Sequence, residues 1–180
     1  MASESLAPKP SAQESKTPLP GQQFLRLYLV PETKVLLPIE QLTEVLTIPI
    51  GQIVPIPHLP AWVMGVYNWR GEILWMVDLG KLVGLTPWYQ QSVNSSSYIC
   101  VVLNSEASDT ESNNSPTQIG LVVSRVEDLE WCNPDLVQEL PSSMMAKELA
   151  SFLQGYWLKP NGEMLVVLDY EAVMAAMPQP

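Results

Sequence analysis

The chain has 180 residues, 47% of them hydrophobic, enough for one compact domain or two small fused ones to close a core. Nine Lys and Arg against nineteen Asp and Glu leave a formal charge of -10, and the cations are scattered, which excludes nucleic acid and anionic lipid surfaces as partners. No window approaches the ~18 apolar residues of a membrane span, and the N-terminus lacks an apolar signal core, so a cytoplasmic protein with no direct membrane insertion is expected.

Residues 1–20 are rich in Ser, Pro, Ala, Lys and Glu and have too little apolar surface to offset their ordering entropy, which predicts a disordered tail ahead of a domain over 21–180. "FLRLYLV" alternates, with Leu25, Leu27 and Leu29 on one face and Phe24, Arg26, Tyr28 and Val30 on the other; "PETK" then turns the chain into "VLLPI". In "IEQLTEVL" the residues Ile39, Leu42, Val45 and Leu46 stand at helical spacing, which predicts one or two helical turns. "TIPIGQIVPIPHLPAW" has too many prolines for a helix or a central strand, although Pro60 can start a single turn through Trp62 and Val63 that Gly65 ends. "YICVVL" and "QIGLVVSRV" read as hairpin partners whose polar loop, residues 104–117, is enlarged and flexible. Cys100 and Cys132 fit no metal spacing and lie in apolar runs, which points to buried, reduced thiols.

The chain also resembles itself. "GEILWMVDLGKLV" from Gly71 matches "GEMLVVLDYEAVM" 91 residues later, "VLLPIEQLTEV" matches "IGLVVSRVEDL" 84 residues later, and "FLRLYLV" matches "YICVVLN" 74 residues later. Two divergent copies follow, over about 23–85 and 97–177, each with a strand, a hairpin, a short helical connection and a second hairpin ending in Asp. Short strands with both faces apolar, such as "EILWMV" and "EMLVVL", are what small closed barrels require. The expected fold is mainly β: two small SH3-like barrels of about five strands each, packed together and either separate or exchanging strands, with a C-terminal helix near Tyr170 to Met177.

Little here can do chemistry. His58, the one histidine, has no Cys, Ser or acidic partner at a recognisable spacing. Asp78 and Asp169 hold the same place in each copy, where an Asp commonly caps the following helical turn, so capping accounts for them better than a catalytic carboxylate pair. No phosphate-cradling glycine loop and no zinc spacing is present, so the expectation is a non-enzymatic protein without metal or cofactor. Binding remains. In "GVYNWRGEILWMVDLG", Gly65 to Gly80, aromatic residues surround a single Arg-Gly at a hairpin tip, whereas the matching turn in the second copy reads "WLKPNGE". Aromatic residues and arginine on a rigid turn are the types that dominate interfaces, while Trp62, Tyr67 and Trp75 also suit a core.

At these residues the chain resembles the CheW family of chemotaxis coupling adaptors, through Gly65, Val66, Asn68, Trp69, Arg70, Gly71, Ile73, Val77, Asp78 and Leu79, with "LPAWVM" similar to the family's Pro-Ala-aromatic turn. The similarity runs from about Gln23 to Met174. It implies a non-catalytic scaffold of two barrels that binds the regulatory domain of a CheA-like histidine kinase and, in a groove between the barrels, the helical tip of a methyl-accepting chemoreceptor-like protein. Carried over by position, the receptor- and kinase-binding residues are Leu42, Glu44, Gly65, Val66, Asn68, Arg70 and Leu129. Glycine at 65 would let a helix approach closely, and Arg70 can pair with a receptor carboxylate or with helix C-terminal carbonyls. The departures are Ser124, where the family usually has an acidic residue, and the longer loop at 104–117. The tryptophan-rich hairpin looks most like adaptors of cyanobacterial phototaxis and pilus motility, which implies recruitment to membrane-associated receptor arrays. From another class, a small-barrel module that binds peptides or assembles pili without a kinase fits the same residues, and a detached kinase regulatory domain is a third reading.

Neither polar segment contributes apolar burial, and loop-closure cost changes slowly with length. Deleting residues 1–20, or replacing 104–117 by a few Gly and Ser, is therefore expected to leave the thermal midpoint nearly unchanged; a drop above ~5 °C, about 1–2 kcal/mol for a domain this size, would show that the segment packs on the barrels.

Overall fold

A computed structural model of the chain describes residues 21–91, 95–104, 118–141 and 147–178; the predicted tail and nearly all of the predicted polar loop lie outside these. The first half forms β1 (Gln22–Leu29), β2 (Thr33–Pro38), β3 (Leu42–Pro49), β4 (Val63–Trp69), β5 (Glu72–Asp78) and the short α1 (Leu79–Leu82). The second half forms β6 (Ser97–Asn104), β7 (Gln118–Val123), β8 (Arg125–Cys132), α2 (Lys147–Ala150), β9 (Leu153–Leu158), β10 (Met164–Leu168) and α3 (Tyr170–Ala175).

The strands make two five-stranded sheets, ordered β8-β1-β2-β10-β9 and β3-β6-β7-β5-β4. Replacing each strand of the first by its repeat equivalent, five places along the chain, produces the second. Each sheet thus draws strands from both copies: the β1–β2 hairpin lies among second-copy strands, and the β6–β7 pair among first-copy strands. The register obeys the same symmetry, since the parallel pair Val35–Val166 in one sheet recurs as Ile119–Trp75 in the other. The first strand does not follow the predicted offset. Leu25 faces Leu37 and Val101 faces Leu121, so Leu25 corresponds to Val101, 76 residues on rather than 74. A shift of two leaves every side chain on its original face, so an apolar pattern cannot distinguish the two alignments.

Each sheet curls so that its edge strands meet through side chains. Arg70, at the tip of the β4–β5 hairpin, pairs with Glu44 of β3, and Lys159, just past β9, lies 2.9 Å from Glu130 of β8. The barrel containing β1 is called barrel A and the other barrel B. Alternation then divides the apolar residues among three cores. Phe24, Leu36, Cys132, Leu165 and Val167 fill barrel A. Ile48, Trp69, Leu74, Met76, Cys100 and Val102 fill barrel B. Leu25, Leu27, Leu29, Val35, Val77, Val101, Leu121, Val166 and Leu168 point the other way and form the largest core, between the barrels. The fillings are complementary rather than identical: Gly120 occupies the place of Leu36, and a Cβ on it would stand 2.6 Å from Cys100 Sγ and 2.9 Å from Met76 Sδ.

Two local expectations need correction. Helical structure after β2 is a single 3₁₀ turn, Ile39–Gln41, and Leu42–Pro49 is a strand. Its β-branched residues Thr43, Val45, Thr47 and Ile48 favour extended backbone, and its burial alternates with period two. The Pro60 turn exists, with Val63 N–H donating to the Pro60 carbonyl at 2.9 Å, but Gly65 lies within β4 instead of ending it.

Gly65 and Gly155 are repeat equivalents that serve one purpose. Each follows a register irregularity in a strand that a passing segment approaches, and Val54 and Gln138 exchange backbone hydrogen bonds with the next residues, Val66 and Tyr156. A Cβ at Gly65 would stand 2.2 Å from the Val54 oxygen, and one at Gly155 2.3 Å from the Gln138 oxygen. Gly155→Ala is therefore expected to cost about 1–3 kcal/mol, the usual scale of overpacking. Gly65→Ala should cost more, because its φ of +137° is strained for any side chain. Denaturant unfolding measures both, and a wild-type midpoint for either variant would contradict the close approach.

Candidate functional site

The β4–β5 hairpin turns on two residues, Arg70 at φ +56° and Gly71 at φ +85°. Positive φ at both centres is the turn whose twist suits a two-residue hairpin. Gly71 adopts it freely, whereas Arg70 pays roughly 1–2 kcal/mol for a left-handed conformation. Neighbours hold it there. Asn68 Oδ1 accepts from Gly71 N–H at 3.0 Å, Glu44 pairs with the guanidinium, and the guanidinium carbon lies 4.9 Å from the centre of the Trp69 ring. Trp69 is itself only 7% exposed, anchored in the core of barrel B. The Arg70 side chain is nevertheless 67% exposed, so the turn presents a preset cation to solvent on an aromatic base.

Strand alternation decides what surrounds it. Tyr67 and Trp69 point into barrel B, so Val66 and Asn68 point outward, opposite Trp75 and Ile73. Trp75 packs against the core between the barrels, and Ile73, further toward the tip, is 67% exposed. On β3, Leu42 packs against the shared core and Glu44 reaches Arg70. Val66, Asn68 and Ile73 thus share the outward face of the hairpin with Arg70 at its tip, whereas Glu44, opposite Val102 on the same face of β3 as Leu46 and Ile48, stands at the mouth of barrel B and meets that face through Arg70. Gly65 is buried, and the close approach it permits is that of the chain's own Val54–Pro55 backbone. Leu129 belongs to the edge of the other sheet, opposite Leu25, and is 54% exposed. Two features escaped the sequence reading: Trp69 seats Arg70 from inside a barrel, and Ile73 adds exposed apolar area beside Asn68. Ile73 sits in an unbroken apolar run, where no pattern separates it from the core.

The reactive side chains are occupied structurally. Cys100 and Cys132 are free and lie in different barrels; burial pushes the Cys100 thiol up to about 12 and also raises Cys132, with the Glu130 charge adding to the latter. Thiols so shifted are poor nucleophiles. His58 is exposed in a turn at φ +65°. Among the described residues no group of His, Cys, Asp and Glu could hold a metal ion.

Both aspartates cap helices: Asp78 Oδ1 accepts from Lys81 N–H at 3.1 Å, and Asp169 Oδ1 from Ala172 N–H at 3.0 Å. Asp78 does more, because its second oxygen accepts from Trp88 N–H at 2.8 Å and ties the connection after α1 back to β5. Burial outweighs these donors and raises its carboxyl above the ordinary value. Asp169→Ala is expected to cost ~1 kcal/mol as an ordinary cap. Asp78→Ala should cost a further ~1–3 kcal/mol for the unsatisfied N–H of Trp88; equal unfolding midpoints for the two variants would remove the second role.

No curated protein sequence matches the chain. Among solved structures it is similar to the scaffolding protein TtCheW from Thermoanaerobacter tengcongensis, with a TM-score of 0.64 and 19% identity over 82% of this chain and 88% of that one. The CheW-like domain family matches residues 23–177, which span both barrels and the Arg70 patch, and the chain therefore belongs to the CheW-like domain family.

Proposed function

We propose that this chain is a non-catalytic adaptor that couples a methyl-accepting chemoreceptor-like sensor to a CheA-type histidine kinase, in a chemosensory, phototaxis or twitching-motility signalling pathway. Arg70 carries this reading: a strained, exposed guanidinium that the fold holds ready. Family membership supports the adaptor role. Leu42, Glu44, Val66, Asn68 and Arg70 form the receptor-facing patch, and Leu129 extends recognition onto barrel A, while Gly65 shapes the patch from beneath. A receptor helix would lay apolar residues on Val66 and Ile73 and offer a carboxylate or its C-terminal carbonyls to Arg70. Glu44 keeps the guanidinium aimed until that partner arrives. The kinase regulatory domain occupies a separate surface, so both partners bind at once. No helix among the described residues is long and apolar enough to cross a membrane, and the adaptor reaches receptor arrays through its partners.

The Arg70–Glu44 pair is exposed, and pairs of that kind contribute ~0–1 kcal/mol to stability. Arg70→Ala should therefore leave unfolding within ~1 kcal/mol of wild type while weakening binding to a receptor-tip fragment by ~2 kcal/mol or more, the scale of a central interface arginine. Trp75→Ala should do the reverse and cost ~3 kcal/mol of folding stability, the low end for a tryptophan that is half-buried. Denaturant unfolding of both variants, with binding to the receptor tip alone and with the kinase, separates the outcomes. Wild-type affinity of Arg70→Ala in both assays would overturn the recognition role. A wild-type chain that retains no CheA-type kinase in a pull-down would overturn the adaptor role.

A further inference from the structure

The repeat symmetry exposes a difference inside the barrels that the adaptor reading does not use. In barrel A the layer beside the apolar core is ionic. Arg26 follows Phe24 on the inward face of β1, with Nε 2.7 Å from Glu127 and Nη1 2.7 Å from Glu130. Lys159 lies 2.9 Å from Glu130 and 3.8 Å from Glu163, and Lys34 of β2 pairs with Glu163. Three cations meet three carboxylates, and most are well shielded, Arg26 being 16% exposed and Glu127 and Glu130 15%. Around the rim, Arg125 reaches Glu127 at 2.6 Å and Asp128, 89% exposed, stands 3.7 Å from Arg26. At the equivalent positions barrel B has Val102 for Arg26, Leu46 for Glu130 and Trp69 for Lys159, all in its apolar core; Thr43, Glu44, Gln118 and Glu72, the equivalents of Glu127, Asp128, Lys34 and Glu163, remain polar.

We infer that barrel A is held shut by a shielded electrostatic latch, centred on Arg26, where barrel B has only the exposed Arg70–Glu44 pair above an apolar core, so that acid opens barrel A while barrel B stays closed. The β8 and β9 edges share no backbone ladder, and beyond the apolar packing of Trp157 against the core that holds Cys132 they are joined by Glu130–Lys159 with Arg26 behind it. Protonating Glu127 and Glu163 would leave an excess of partly buried positive charge on Arg26, Lys34 and Lys159, which repel one another and favour water. The sign follows from the carboxyls. Glu127 is lowered from its ordinary 4.5 chiefly by its hydrogen bond from Arg125, and Glu163 chiefly by that from Lys34. Their contribution is complete above that ordinary value and is lost as pH falls through the depressed ones. The recognition hairpin thus belongs to the barrel whose interior is sealed by apolar contact.

Each barrel contains its own reporter, since Cys132 is buried in barrel A and Cys100 in barrel B. Pulses of a pyridyl disulfide, which reacts with thiols in acid, followed by peptide mass spectrometry, give the ratio of Cys132 to Cys100 modification in the full chain. Between about pH 7 and about pH 3.5 the ratio is expected to rise several-fold, because the carboxyls that their cationic partners hold below the ordinary value lose their charge over that interval. The triple variant Arg26→Val, Glu130→Leu, Lys159→Trp copies the barrel B seal and should abolish the rise. An unchanged wild-type ratio, or earlier reaction of Cys100, overturns the latch whether or not the variant folds. A folded variant that opens in acid as wild type does overturns it as well.

Discussion

Every central strand of this protein buries apolar residues on both faces, and a sheet of that kind has to be covered twice. Curling the sheet covers one face, as Phe24, Leu36 and Val167 do in barrel A and Leu74, Met76 and Cys100 in barrel B. Packing the two barrels together covers the other, through Leu25, Leu27, Val35, Leu121 and Val166. Neither barrel can shed the other without exposing fully buried residues such as Leu27 and Leu121, each worth about 1.5–3 kcal/mol. Strand exchange adds a second constraint: with β1 and β2 in barrel A and β6 and β7 in barrel B, separating the two sequence copies would break hydrogen-bonded strand pairs inside both barrels as well as apolar contacts.

This union positions the Arg70 hairpin. Val66 and Trp75 stand opposite each other on the outward face of barrel B, where that face emerges from the shared core. Moving toward the tip, the same face passes to Asn68 and Ile73 and then to Arg70. A rigid ramp results, apolar and buried at its base, charged and exposed at its end. The strain at Arg70 is sustained because three separate elements hold the turn: β3 through Glu44, the strand interior through Trp69, and the turn itself through Asn68. A side chain restrained this way loses little freedom on binding, which is how preorganisation adds affinity.

The strands, their inward and outward faces and the internal duplication were legible in the sequence, because period-two alternation and repetition are carried by residue type alone. The strand exchange was left open, since a repeat looks the same whether its strands pair within a copy or across copies. The 74-residue offset failed for a related reason: alternation is blind to a shift of two. At Leu42–Pro49 two periods competed, with Ile39, Leu42, Val45 and Leu46 fitting a helix while Thr43, Val45, Thr47 and Ile48 favoured a strand, and pairing with β6 decided it. Of the patch, Arg70 and Asn68 could be read from the turn. The ion pair with Glu44 joins opposite edges of a five-stranded sheet, a contact that exists only once the sheet has curled.

Where the copies still agree and where they have parted separates the scaffold from what it carries. Gly65 and Gly155, Asp78 and Asp169, and the parallel pairs Val35–Val166 and Ile119–Trp75 keep equivalent geometry, and each concerns backbone closure or barrel contact. Divergence is concentrated in the second hairpins and in the layer they cover. In barrel B a tight two-residue turn lifts Arg70 into solvent and turns Trp69 inward; in barrel A a longer turn through Lys159 to Glu163 directs its charges into the barrel instead. One hairpin turns its cation to solvent above an apolar seal, while the other uses its cation as part of the seal. A cation held among shielded carboxylates inside a barrel is not displayed to solvent, and the two hairpins divide these arrangements between the barrels.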